Sequence, residues 1–209
     1  MTGEEPMAQF ALPLSLRKPG DPLTIVVGNA NRAAIEALSD PATWPFRTAI
    51  LLGPPRSGKS LLARWCEAKA RGIAIDSADA LDETELFHRW NRAQEEGQSL
   101  LLVSDRQNWE IALPDLKSRL GAALHLEIGA PDDAMVGSLI ESHAQQRGLV
   151  LGEGALTYLV PRTERSFAGI ENLVAEIDRL SLERKVPATL AIWRAALDAV
   201  QGPEQARLL

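Results

Sequence analysis

The chain has 209 residues, 45% of them hydrophobic, with a formal net charge of −6. That length suits one α/β core plus a smaller appended subdomain, and that apolar content excludes a disordered chain. The acidic balance repels a phosphate backbone, so direct, sequence-specific DNA binding is not expected.

Residues 1–21 read as a tail outside the core: Pro19, Gly20 and Pro22 argue against regular structure there. A helix is expected over 29–38, where Ala30, Ala33, Ala34 and Leu38 fall at helical spacing. Thr48-Ala49-Ile50-Leu51-Leu52 is a short apolar run that fits a buried parallel strand. A Gly/Pro loop follows from Gly53 to Gly58, and then a helix over 59–71. Ile73-Ala74-Ile75 is a second strand, closed by Asp76. Asp82 N-caps a helix running to about Gly97. Strands are expected over 99–103 and 124–128. Beyond Pro131 the pattern is helical only, over 132–147, 153–160, 166–184 and 188–200. Strands alternating with helices, then helices alone, predict an α/β domain over 22–130 and a helical subdomain over 131–209.

Gly53-Pro54-Pro55-Arg56-Ser57-Gly58-Lys59-Ser60 satisfies the G-x-x-x-x-G-K-[ST] pattern of a phosphate-binding loop. Glycines at both ends let backbone N–H groups curl around phosphate oxygens. The following helix aims its positive end at the anion. Lys59 would neutralise the β- and γ-phosphates of ATP or ADP, and Ser60 would offer a hydroxyl to Mg²⁺. Such a site needs a carboxylate behind the metal, at the end of a neighbouring strand. Asp76 is the candidate; Asp79 is nearby but out of phase.

Other residues carry less. His88, His125 and His143 lack metal-ligand spacing. Cys66, the single cysteine, excludes an intramolecular disulfide, fits a reducing compartment and is expected to be buried. Trp44, Trp65, Trp90, Trp109 and Trp193 are expected in the core or at the seam between subdomains. Asp132-Asp133 reads as a helix start. No apolar run spans a bilayer and no signal peptide is evident, so a cytoplasmic protein without membrane contact is expected.

Four segments, spread over roughly residues 25–200, together resemble the DnaA-related branch of the AAA+ proteins, and within it the Hda-type regulators that switch off DnaA. They are Gly28-Asn29-Ala30-Asn31-Arg32-Ala33-Ala34, which looks like the box bordering the adenine pocket; the phosphate loop; Ser104-Asp105-Arg106 with Leu113-Pro114-Asp115-Leu116-Lys117-Ser118-Arg119-Leu120; and Arg165-Ser166-Phe167-Ala168-Gly169-Ile170-Glu171. The resemblance implies a P-loop AAA+ parallel-sheet core with a C-terminal all-helical lid. It implies that Ser104 or Asp105 is the sensor beside the γ-phosphate. Ser104 is the first choice, because an acid there needs a cation to pair with. It makes Arg119 an arginine finger that acts in trans; the bland alternative is a surface arginine paired with Asp115. The chain departs from the pattern at Ser77, where a second acid is usual, and at Ala168, where a lid arginine is usual, with Arg165 three residues earlier. It also shortens the interval from Ser60 to Asp76, which leaves out an edge strand. Ser77 and Ala168 predict weak ATP hydrolysis by the chain itself. No helix-turn-helix segment follows the lid, so an initiator is not expected.

Gln9, Leu12, Pro13 and Leu14, in Gln9-Phe10-Ala11-Leu12-Pro13-Leu14, resemble the peptide by which Hda-type proteins dock on the sliding clamp, the beta subunit of DNA polymerase III. The glutamine amide offers hydrogen bonds, the leucines are apolar anchors, and the proline keeps the peptide extended. The implied function is stimulation of ATP hydrolysis by DnaA at the clamp, and the resemblance allows a homo-oligomer. The alternatives are an autonomous ATPase or loader, and a scaffold that only recruits partners to the clamp.

Overall fold

A computed structural model describes residues 25–70, 72–106 and 108–202. They form two compact units. Ala30–Gly129 with Ile25 makes one; Val26–Asn29 with the chain from Ala130 onward makes the other.

The first unit is a parallel sheet covered by helices. Strands β1 (Thr48–Leu52), β2 (Ile73–Ile75), β3 (Leu100–Ser104) and β4 (Leu124–Glu127) lie in the order β2-β3-β1-β4. Continuous apolar runs suit strands buried on both faces. Ile50, Leu100 and Leu102 pack with Leu86, Trp90, Leu116 and Leu120 from helices α3 (Glu83–Glu95) and α4 (Pro114–Gly121). Leu51, Leu101 and Val103 are offset by one residue, so they point to the opposite face, and they too are buried. Helix α2 (Lys59–Ala70) packs against β2 and β3, and α1 (Arg32–Leu38) against β4.

Local chemistry explains the ends. Asp82 caps α3 as expected: its Oδ1 accepts from Thr84 N at 2.9 Å and Glu85 N at 3.1 Å, worth about 1 kcal/mol. Helix α1 starts later than the spacing predicts, at Arg32, with buried Asn31 at its N-cap position. Strand β3 extends one residue further than predicted and takes in Ser104. Strand β2 stands at the sheet edge, where a short strand limits the exposed ladder. There Glu67 of α2 accepts from Ala74 N at 3.0 Å.

The second unit is helical: α5 (Asp133–Gln146), α6 (Ala155–Leu159), α7 (Phe167–Arg184) and α8 (Leu190–Gln201). Helix α7 packs on α5 and on α8, and Ile170, Val174, Ile177, Trp193 and Leu197 are buried. The predicted helix over 153–160 is shorter. It ends at Leu159 in a 3₁₀ turn, Val160–Arg162, because Pro161 has no N–H to continue the ladder. Ser166 caps α7, accepting from Gly169 N at 3.0 Å. Asn29 holds the start of α5: its Oδ1 accepts from Asp132 N at 3.1 Å and its Nδ2 donates to Ala130 O at 3.3 Å. A Cβ on Gly28 would lie 2.7 Å from Met135 Sδ, so a larger residue there would have to displace that side chain.

Candidate functional site

The phosphate-loop pattern lies between the C-terminal end of β1 and the start of α2, the context its chemistry requires. The loop turns at Arg56, with φ 65°, and at Gly58, with φ 88°, where a Cβ would meet nothing within 4 Å. Gly53 packs tightly: a Cβ there would sit 2.9 Å from Ile128 Cβ. The first amides of a helix have no intrahelical acceptors, so the start of α2 is a ready anion seat.

Lys59 is buried, 4% exposed, with its ammonium folded over the loop. Its Nζ donates to Gly53 O at 2.8 Å, Pro54 O at 2.7 Å and the buried Ser57 Oγ at 3.4 Å. It also lies 2.7 Å from Oδ1 of Asp105. Pro55, Arg56 and Ser60 are exposed, and Pro54 is half-buried.

Strand order places the end of β3 between the loop and Asp76. Leu52 is in register with Ser104, and β2 pairs on the far side of β3. Asp76 is therefore two strand spacings from β1, about 10 Å. It is exposed, and its Oδ1 accepts from Ser77 N at 3.0 Å. Ser104 is fully buried and its Oγ accepts from Arg106 N at 2.9 Å. Of the two sensor candidates, Asp105 is the one that touches the loop lysine, so it meets the condition that an acid here be paired with a cation. Asp79 is engaged as well: the left-handed turn at Ser77, φ 53°, swings the chain so that Arg106 Nε lies 3.2 Å from the Asp79 carboxylate.

These residues fit a phosphate with a hard divalent cation. Ser60 and Asp76 present exposed oxygen donors. Among the described residues no cluster of three His, Cys, Asp or Glu could hold a metal unaided. Mg²⁺ is bound by one or two protein oxygens plus phosphate and water, and this donor set suits that habit.

Arg119 lies elsewhere on the same unit. Its Cζ is 4.4 Å from the Trp90 ring centroid and 4.9 Å from that of Phe87, and its Nη1 donates to Asn91 Oδ1 at 3.1 Å. The guanidinium thus goes to α3 rather than to Asp115, the helix-surface partner that the i, i+4 spacing suggests. Trp90 Nε1 donates to Thr48 Oγ1 at 3.1 Å, so this cluster sits at the beginning of β1. The phosphate loop begins at the other end of that strand, about 16 Å away at 3.3 Å per residue.

The remaining candidates fall into place locally. Gly28 and Asn29 shape the start of α5, as above. Arg165 pairs with Asp133 at 2.8 Å, and Ala168 is half-buried in the first turn of α7. Burial pushes the Cys66 thiol up to about 11, with nearby Glu67 adding to the shift. His125 Nε2 is 3.1 Å from Leu120 O, a local helix-end contact. Trp44, Trp65, Trp90 and Trp193 are buried, and Trp109 is half-buried. Gln9, Leu12, Pro13 and Leu14 lie outside the described residues.

Sequence reasoning did not find the Lys59–Asp105 pair or the Phe87, Trp90 and Asn91 seat of Arg119. The i, i+3, i+4 spacing of the latter three was the only signal available, and it is shared with ordinary core stripes.

No protein-family model matches the chain. It is 26% identical over 125 residues to the chromosomal replication initiator protein DnaA of Thermus thermophilus, which covers 59% of this chain and 29% of that protein. The chain thus matches well under half of the length of this relative. Among solved structures, domain III of Thermotoga maritima DnaA superposes with a TM-score of 0.71 at 18% identity, over 85% of this chain and 95% of that one. A DnaA bound to AMPPCP and single-stranded DNA superposes with a TM-score of 0.60 at 19% identity, over 76% of this chain and 65% of that one. The chain has the AAA+ P-loop fold and is similar in sequence to part of DnaA. Among the described residues no helix is long and apolar enough to cross a membrane.

Proposed function

We propose that this chain is an Hda-type regulator of replication initiation. It binds ADP or ATP with Mg²⁺ at its phosphate loop, docks on the sliding clamp through Gln9, Leu12, Pro13 and Leu14, and stimulates ATP hydrolysis by DnaA. The observation that carries the reading is the placement of Arg119. It sits at the opposite end of β1 from the chain's own loop, too far to serve it, on the α4 segment whose sequence resembles the finger phrase of DnaA-related proteins.

In the chain's own site, Lys59 leaves Asp105 and the loop carbonyls to meet phosphate oxygens, while the amides at the start of α2 supply neutral donors. Ser60 and Asp76 would hold Mg²⁺, which supplies charge neutralisation when bound. Ser104 and Asp105 lie beside the γ-phosphate position. With Ser77 in place of a second acid, no side chain directly after Asp76 polarises water, so the chain's own turnover is slow. Binding then serves to set the fold of the site more than to run a cycle.

Toward DnaA, Arg119 offers a permanently charged planar fork. Placed against the charge that builds on a transferring phosphoryl group, such a residue accelerates hydrolysis by roughly 10³-fold or more. The Lys59–Asp105 pair and Ser77 favour this division of labour over an autonomous motor. The test is DnaA turnover with this chain, with and without DNA-loaded clamp. Stimulation that depends on clamp supports the reading. Rapid turnover by the chain alone would contradict it.

A further inference from the structure

The turn that leads into β1 is strained. Phe46 has φ 48° and ψ 29°, and Arg47 has φ 48°, so two consecutive residues that carry side chains occupy the left-handed region. For a bulky residue this is a costly conformation, kept only where the surroundings over-determine it. Here they do. Phe46 O accepts from Thr48 Oγ1 at 2.9 Å and from Gln94 Nε2 at 2.8 Å. Arg47 N donates to Trp44 O at 2.9 Å, and Arg47 Nη1 donates to Gly97 O at 2.8 Å.

None of these bonds uses the Phe46 side chain. The ring is 61% exposed, and Phe46 is the one aromatic among the exposed large hydrophobic residues of the described chain. Asparagine would adopt the same turn with less strain. A smaller polar residue would therefore serve the fold better, yet an aromatic ring is held out into water. Aromatic side chains are the residues that most often anchor a protein interface.

The position of the ring says which partner it meets. Thr48 Oγ1, which donates to Phe46 O, also accepts from Trp90 Nε1 at 3.1 Å, and the centroid of the Trp90 ring lies 4.4 Å from Arg119 Cζ. Phe46 and Arg119 thus share the end of β1 that lies away from the phosphate loop. A molecule whose phosphate meets Arg119 is brought against that same end. A second copy of this chain is the poorer occupant, because each copy carries a net charge of −6.

We propose that Phe46 is an apolar docking residue for DnaA, seated against an apolar surface of the partner beside the nucleotide that Arg119 reaches. The inference rests on the finger reading above. Docking governs the concentration at which the chain works, and not the rate once it is bound.

The experiment titrates the parent, Phe46→Asn, Phe46→Trp and Arg119→Ala into DnaA loaded with ATP, with DNA-loaded clamp present, and measures the melting temperature of each form. Phe46→Asn removes the ring and suits the left-handed turn; Phe46→Trp keeps an aromatic anchor. Phe46→Asn should raise the half-saturating concentration roughly tenfold, reach the parent's maximal rate at saturation, and melt at or above the parent's temperature. Phe46→Trp should work at the parent's concentration. An unchanged half-saturating concentration for Phe46→Asn, with Arg119→Ala inactive, overturns the docking role and leaves the finger standing. A lower melting temperature for Phe46→Asn overturns it too, since the ring would then belong to the fold. So does a parent dimer in sedimentation that Phe46→Asn dissociates, which would make a second copy the occupant. No stimulation by the parent, or parent-level stimulation by Arg119→Ala, overturns the finger reading and this inference together.

Discussion

The Nζ of Lys59 lies 2.7 Å from Oδ1 of Asp105, although the lysine is buried and the acid is 65% exposed. The pair joins the loop after β1 to the end of the adjacent strand β3. The carboxylate is open to water, so the pair costs the acid little desolvation, while the buried ammonium depends on its oxygen partners.

Lys59→Ala removes that cation. ADP binding measured by calorimetry should fall below detection, while circular dichroism shows the same helix and sheet content. Unchanged ADP affinity would remove the loop from the nucleotide site.

Simultaneous replacement of Gln9, Leu12 and Leu14 by alanine should abolish clamp binding in surface plasmon resonance. ADP affinity should stay at the parent value, because no phosphate-loop residue is touched. Clamp binding at parent affinity would assign docking to another part of the chain.

Glu67 covers the one outward N–H of the edge strand, at Ala74. Glu67→Ala should lower stability by about 1 kcal/mol and leave an open strand edge for pairing between copies. Light scattering at rising protein concentration should report more self-association than in the parent. Equal behaviour would mean that the short strand is protection enough.

The Cys66 thiol is raised to about 11 by burial, against 9.0 for an ordinary cysteine. Maleimide should leave the folded protein unlabelled at pH 8 and label it fully in denaturant. The unfolded chain ionises first, so this thiol's contribution to stability is complete below pH 9 and is lost as pH rises from 9 toward 11. A melting temperature that rises across that window in the parent relative to Cys66→Ala would contradict the sign.

The parts of the site that lie next to one another in sequence were readable from it. The phosphate loop, its flanking strand and helix, and the cap at Asp82 each depend on a few adjacent residues whose chemistry has one good use. The missing edge strand was legible as a short interval before Asp76, and β2 does stand at the edge. Pairings that depend on strand order were not legible. Asp105 reaches Lys59 only because β3 lies between β2 and β1. The spacing rule that offered Asp115 to Arg119 is a weak surface effect, of a few tenths of a kcal/mol, and two aromatic faces with an amide on α3 outweigh it. Asp79 was out of phase for a strand, but the left-handed residue Ser77 resets the phase and brings it to Arg106.

The central claim is that Arg119 acts on another molecule's nucleotide, and DnaA turnover with Arg119→Ala tests it most directly. ATP hydrolysis by DnaA would be followed with DNA-loaded clamp and saturating amounts of either form of the chain. The variant should fold, bind ADP and bind clamp like the parent, yet leave DnaA at its unstimulated rate, a loss of roughly 10³-fold if the finger carries the effect. Arg119→Lys should restore little, because a point charge does not reproduce the planar fork. Stimulation by Arg119→Ala equal to that of the parent would contradict the mechanism and leave a scaffold that recruits partners to the clamp.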